Sequence, residues 1–207
     1  MPLSPVSSIQ SPAAGAFYLA SRSPRRLQLL AQVGLHPDVL PADIDETPVP
    51  GLSPAQCAQA FALAKARRAQ ALAPQSLPVL GADTDVALDG RILGKPRDRQ
   101  DAIAMLLALS NRWHEVFSAI AVVQGEHVAS GLSSTRVRFG SISAAEAADY
   151  WDSGEPADKA GGYAIQGAAA RWVRAIEGSY SGVVGLPLYE TCELLRQFGI
   201  EPNRSLR

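Results

Sequence analysis

Leu19-Ala20-Ser21-Arg22-Ser23-Pro24-Arg25-Arg26 gathers three basic side chains around a Ser-Pro helix start, where charge alone makes them unwelcome. Ser23 reads as the N-cap and Pro24 as the first helical residue, with Leu27, Leu30 and Ala31 forming an apolar stripe behind them. A helix N-terminus already carries about half a positive charge, and a cation placed there costs about 0.3–1 kcal/mol. Arg22, Arg25 and Arg26 make sense at that end if an anion binds, because free N–H groups, the macrodipole and guanidinium forks together suit a phosphate. Taken alone, the segment reads equally as a solvated, charged first turn. An apolar strand over 17–20 feeds this helix and Gly34 ends it, so the chain opens as a strand–helix unit.

Strands and helices stay interleaved downstream. A second strand is predicted over 39–44, left through the turn Asp45-Glu46-Thr47-Pro48, and Ser53-Pro54 opens an Ala-rich helix to about Ala73. Residues 77–81 read as a buried strand continued by 84–88, and Asp89-Gly90 is a hairpin signal. Gly94-Lys95-Pro96 breaks the chain before an Asp98-capped helix. Two long strands over 116–124 and 128–139 precede the capping box Ser143-x-x-Glu146, which starts a helix over 144–152. Short strands are predicted around 164–165, 172–176 and 180–183, and a final helix over 188–198 stops at Gly199. The hairpins argue against a purely parallel sheet, so the fold class is a mixed-sheet α/β domain.

Composition narrows the functional classes. The 207 residues are 47% hydrophobic and 19% charged, as in an ordinary soluble protein, and suffice for one substantial core over 17–200. A formal net charge of −1 argues against bulk binding of nucleic acid or an anionic membrane, so any anion site is local. Cys57 and Cys192 have neither zinc-ligand spacing nor a disulfide framework and read as reduced thiols of a cytoplasmic protein. No apolar run approaches the roughly 20 residues of a membrane span. Residues 1–16 lack the basic start and apolar centre of a signal peptide and read as a flexible extension, like the tail 201–207.

Chemistry concentrates in a few short stretches. In Gly81-Ala82-Asp83-Thr84-Asp85 a carboxylate follows directly on an apolar strand, stiffly held, where it can bind a divalent metal, activate water, or both. Asp85 points the same way as Asp83 if the strand continues, and such a pair repels unless a cation or a proton intervenes. Lys95 returns toward Asp83 across the hairpin, or is simply an exposed turn lysine. Lys65 stands among Ala62, Leu63, Ala64 and Ala66, a small-residue helix that can lie close to a neighbour while one long cation reaches out. A solvated helix face is its other reading. Gln166, in Gly161-Gly162-Tyr163-Ala164-Ile165-Gln166-Gly167, can both donate and accept, as reading a base edge or orienting water requires. A second small-residue loop spans 178–187. His36, His114 and His127 show no metal spacing, and neither a Walker A, a Rossmann fingerprint nor a Gly-x-Ser-x-Gly elbow is present.

Together these strings resemble the Maf family of nucleoside triphosphate pyrophosphatases. The resemblance runs over 18–199 through Leu19-Ala20-Ser21-x-Ser23-Pro24-Arg25-Arg26, Asp45-Glu46-Thr47-Pro48, Leu80-Gly81-Ala82-Asp83-Thr84, Gly94-Lys95-Pro96, Gly161-Gly162-Tyr163-x-Ile165-Gln166-Gly167 and Val184-Gly185-Leu186-Pro187-Leu188, all in the family's order. It implies an inosine triphosphatase-like fold: an elongated mixed sheet flanked by helices, two lobes around a central cleft. It also implies hydrolysis between the α- and β-phosphates, giving monophosphate and pyrophosphate with Mg²⁺ or Mn²⁺, in a homodimer with a house-cleaning role in nucleotide metabolism. Carried over by residue, Ser21, Arg25, Arg26 and Lys65 would hold the triphosphate, Glu46 and Asp83 would face the metal with Asp83 as base, and Lys95 would offset charge. Thr84, Arg25 and Gln166 match positions linked to substrate choice, and Gly-Ala-Asp-Thr with the Tyr-x-Ile-Gln-Gly loop resembles the branch acting on dTTP and UTP.

Three positions depart from the family pattern. Asp85 stands where an apolar residue is usual, which puts metal affinity or pH optimum in question, Asn111 replaces a common glycine, and Ala64 replaces a frequent glutamate before Lys65. Alternatives to the dTTP/UTP reading are pyrophosphatase action on inosine, xanthosine or modified triphosphates, and a nucleotide-binding regulator of division or septation.

Overall fold

The computed structural model describes residues 15–202; the extension and tail expected at the two ends fall, apart from residues 15–16 and 201–202, outside that range. Seven strands form one mixed sheet: β1 (Tyr18–Leu19), β2 (Asp38–Val39), β3 (Val79–Leu88), β4 (Arg91–Leu93), β5 (Trp113–Gln124), β6 (His127–Phe139) and β7 (Val173–Glu177). Their order is β2-β1-β3-β5-β6-β7, with β4 paired to β3. The first three pair in parallel and the remainder antiparallel. Six helices flank the sheet: α1 (Pro24–Gln32), α2 (Pro54–Gln70), α3 (Arg99–Leu109), α4 (Ala144–Asp152), α5 (Tyr180–Val184) and α6 (Leu188–Arg196). None is long and apolar enough to cross a membrane.

The central strand β3 explains the division into two lobes. On its β1 side, β1 pairs only with Val79 and Leu80, whereas β4 pairs only with Val86, Ala87 and Leu88. Residues 81–85 therefore carry no strand on that edge, and a cleft opens there. Leu80 and Ala82 belong to a core with Phe17, Leu19, Leu30, Ile120 and Leu195. Val86 and Leu88 belong to another, with Leu106, Leu109, Phe139, Tyr163 and Trp172. The polar triplet Asp83-Thr84-Asp85 thus interrupts a ten-residue strand at the point between two apolar cores.

The two faces of β3 are used differently. Ala58, Ala62 and Ala66 of α2 pack on Ala119, Ala121 and Val123 of β5. Gly81 permits this close approach: a Cβ there would run into the Ala62 carbonyl and lie 2.7 Å from the Ala66 amide nitrogen. The Ala-rich character of α2 is accordingly a packing requirement, and it brings Lys65 down onto the strand.

Several predicted elements are corrected. The strand over 39–44 shrinks to Asp38–Val39, because β1 is itself only two residues long and offers nothing further to pair with. The predicted strand over 180–183 is helix α5, whose start is fixed by the Ser179 hydroxyl accepting from the Gly182 amide. Residues 164–165 form a turn between two short 3₁₀ segments, held by the Ala164 amide donating to the Tyr150 hydroxyl at 3.0 Å. Helix α2 ends at Gln70, before the expected Ala73. Asn111 adopts φ of 56°, a left-handed position that asparagine tolerates, which accounts for its replacing glycine.

Candidate active site

A cavity of about 600 Å³ opens at the unpaired edge of β3. Ser21, Arg25, Arg26, Glu46, Lys65, Asp83, Thr84, Lys95 and Gln166 all line it. Every site residue expected from sequence is therefore brought to one place, from segments spread over most of the chain.

The floor is an ionic cluster. Lys65 Nζ lies 2.5 Å from Asp83 Oδ1 and 2.6 Å from Glu46 Oε1. Lys65 is only 8% exposed and Asp83 7%, so this lysine is a buried counter-ion and not a solvated face. Burial acts to raise the Glu46 pKa, but the hydrogen bond and charge of Lys65, with Lys95 and Arg26 nearby, hold it below the usual carboxylate range. Asp85 shares the Asp83 face and pays for it. Burial and the adjacent Asp83 charge push its carboxyl up to about 7, and Asp85 Oδ2 is buried without a hydrogen-bond partner. The expected repulsion between these acids thus falls on Asp85, whose carboxyl is shifted up, while Asp83 takes the lysine.

The helix-start arginines divide their work. Arg22 pairs with Asp43 at 3.1 Å on the exposed rim, and Arg25 with Asp158 at 3.3 Å. Arg26 donates from Nε to the Gly185 carbonyl at 2.9 Å and from Nη1 to Ser21 Oγ at 2.9 Å, tying α1 to the loop ahead of α6. Burial lowers the Arg26 pKa, opposed by the Asp83 charge. Ser23 occupies the N-cap position, but its side chain makes no cap bond. Its amide donates to Ser21 Oγ at 3.2 Å. Ser21 Oγ therefore accepts twice and keeps its own hydrogen for the cavity.

The opposite wall is the Gln166 loop. Tyr150 Oη donates to Glu155 Oε1 at 2.6 Å while accepting from Ala164, and the Ala168 amide donates to the Glu155 carboxylate at 3.1 Å. The loop is thereby clamped on both sides of Gln166. Asp158, Glu155 and Ser118 are contributors that the sequence reading missed. The only sequence signal for Ser118 was a hydroxyl in an otherwise apolar strand run.

The Maf family model, described as Maf-like protein, matches residues 16–198. The chain belongs to the Maf family. Curated relatives agree with that assignment. A dTTP/UTP pyrophosphatase of Saccharophagus degradans is 53% identical over 186 residues, covering 88% of this chain and 89% of that protein. A protein of the same name from Methylobacillus flagellatus is 48% identical over 188 residues, covering 88% and 92%. Another, from Nitrosomonas europaea, is 48% identical over 202 residues, covering 92% and 98%.

Proposed function

We propose that this Maf-family chain hydrolyses dTTP and UTP to the nucleoside monophosphate and pyrophosphate. The observation that carries the reading is the buried Asp83–Lys65 pair at 2.5 Å, at the base of a cavity also lined by Ser21, Arg25, Lys95 and Gln166. The names of the relatives supply the nucleotide preference.

The first task of such a site is to bring positive charge to a polyanion before any nucleophile can approach. Arg25, Lys95 and the free Ser21 hydroxyl supply charge and a donor at the α1 end, where the first-turn amides of α1 also point outward. Lys65, held by two carboxylates, fixes the orientation of Asp83. Asp83 then accepts a proton from the water that attacks phosphorus in line with the departing pyrophosphate.

The donor set fits a divalent cation. Glu46 and Asp83 each reach the Lys65 ammonium through one oxygen, Oε1 and Oδ1, so the second oxygen of each would be the one to hold the ion. No group of three or more His, Cys, Asp or Glu among the described residues is arranged to hold a metal by itself. Mg²⁺ is commonly held by one or two carboxylates plus substrate phosphates, which is what this wall offers. When bound, Mg²⁺ or Mn²⁺ would neutralise phosphate charge and polarise the scissile anhydride. The proposal places the enzyme in the cytoplasm as a homodimer acting on free nucleotides; Cys57 and Cys192 as free thiols support the compartment.

The test is pyrophosphate release, with and without Mg²⁺ or Mn²⁺, across dTTP, UTP, CTP and the purine triphosphates including those of inosine and xanthosine. Selective release from dTTP and UTP is expected. A preference for inosine or xanthosine triphosphates, or tight binding without release, would replace the proposal.

A further inference from the structure

Thr84 and Ser118 stand directly opposite each other in the β3–β5 antiparallel ladder, on the face away from Lys65. Ser118 is 1% exposed, and its Oγ lies 2.5 Å from the Gly182 carbonyl of α5. A carbonyl only accepts, so this short bond takes the single hydrogen of the Ser118 hydroxyl. The Thr84–Ser118 contact of 3.0 Å is then a hydrogen bond only if Thr84 is its donor. The other acceptor near Thr84 Oγ1 is the Gly185 carbonyl at 3.4 Å, already served by Arg26 Nε at 2.9 Å. Either use spends the one hydrogen that Thr84 has. Thr84 lines the cavity, and its Oγ1 therefore has only lone pairs to offer a ligand there.

This is the reverse of Ser21, which accepts twice and keeps a hydrogen to give. One hydroxyl is set to meet phosphate oxygen; the other repels it and requires a donor.

We propose that Ser118 is a positioning residue for substrate selection: by holding the Thr84 hydroxyl in one direction it makes Thr84 an acceptor for a hydrogen-bond donor of the nucleoside, the imide N3–H that thymine and uracil share. The inference rests on the dTTP/UTP reading and adds the reason for it. Cytosine presents a bare ring nitrogen at the same position, so acceptor would face acceptor, and a buried site built for a hydrogen bond rejects the partner that cannot make it. A ribose hydroxyl is the other donor a nucleotide carries, and the test separates the two.

Steady-state kinetics would compare dTTP, CTP, N3-methyl-dTTP and 2′,3′-dideoxy-TTP on the unmodified protein, then dTTP and CTP on Ser118→Ala, Thr84→Val and the double variant. On the unmodified protein, kcat/KM is expected to fall at least about tenfold for CTP and for N3-methyl-dTTP relative to dTTP, and to hold for the dideoxy substrate. Ser118→Ala, by releasing the Thr84 rotor, is expected to shrink the dTTP-to-CTP ratio about tenfold, with no further change when added to Thr84→Val. A merely structural serine would lower both substrates in proportion, and that result, or additivity of the two variants, would overturn the proposal. So would full activity on N3-methyl-dTTP, a measurement that needs no variant to fold, or loss confined to the dideoxy substrate. An unmodified protein that does not prefer dTTP over CTP would instead remove the dTTP/UTP reading itself.

Discussion

Lys65 and Asp83 meet at 2.5 Å inside the protein, although one sits on a helix and the other on the strand beneath it, 18 residues further along the chain. Glu46 closes on the same ammonium at 2.6 Å, so one lysine compensates two acids. Replacing Lys65 with Met would leave the buried Asp83 carboxylate without a counter-ion beside the half-exposed Glu46. Truncating one partner of a buried pair costs about 3–5 kcal/mol. Lys65→Met is therefore expected to lower urea stability by that order, with part of the loss recovered on adding Mg²⁺; a variant as stable as the parent without metal would contradict the account.

The approach of α2 to β3 depends on Gly81. Gly81→Ala would drive a methyl group into the Ala62 carbonyl and the Ala66 amide, lifting α2 and with it Lys65. Overpacking against backbone is expected to cost about 3 kcal/mol or more, and to reduce turnover because the Lys65–Asp83 contact opens. Chemical denaturation alongside pyrophosphate release checks both effects.

Burial pushes the His114 imidazole down to about 4, and its Nδ1 has no hydrogen-bond partner. Its Nε2 lies 2.8 Å from the Tyr163 hydroxyl, with Phe139 and Tyr163 packed edge-on around it. The unfolded chain binds this proton near pH 6.5, the folded chain only near 4. Stability from neutral His114 is thus present above about pH 6.5 and lost as pH falls toward 4. Urea melts of His114→Phe against the parent should show the parent losing more stability across that window.

Asp85 behaves oppositely. Its folded-state pKa of about 7 lies above the unfolded value of 3.8, so its contribution is complete below 3.8 and disappears as pH rises through 7. In metal-free protein, Asp85→Val is expected to raise Tm little at acid pH and clearly at pH 8. A Tm difference independent of pH would show that Asp85 is not protonated in the fold.

Much of this was legible in the sequence, and the residues show why. The Asp83 strand, the hairpin at Asp89-Gly90 and the capping box at Ser143 are local signals, and each stands where expected. The small residues around Lys65 already suggested close packing with one cation reaching out. Residues 180–183 misled, because Tyr and Val favour strands until the Ser179 cap and the packing of α5 decide otherwise. The Ser118 hydroxyl, the Asp158 contact to Arg25 and the Glu155 clamp stayed hidden, since each depends on a partner 64, 133 or 13 residues away. Alternation along a strand assigns a face, not a hydrogen-bond partner.

The central claim is that Asp83, oriented by Lys65, takes the proton of the attacking water. It is tested most directly by pyrophosphate release from dTTP by Asp83→Asn and its parent, with nucleotide binding measured on the same samples. The account predicts turnover lowered about a thousandfold, with dTTP still bound within a few-fold of the parent. Turnover within a few-fold of the parent would contradict it.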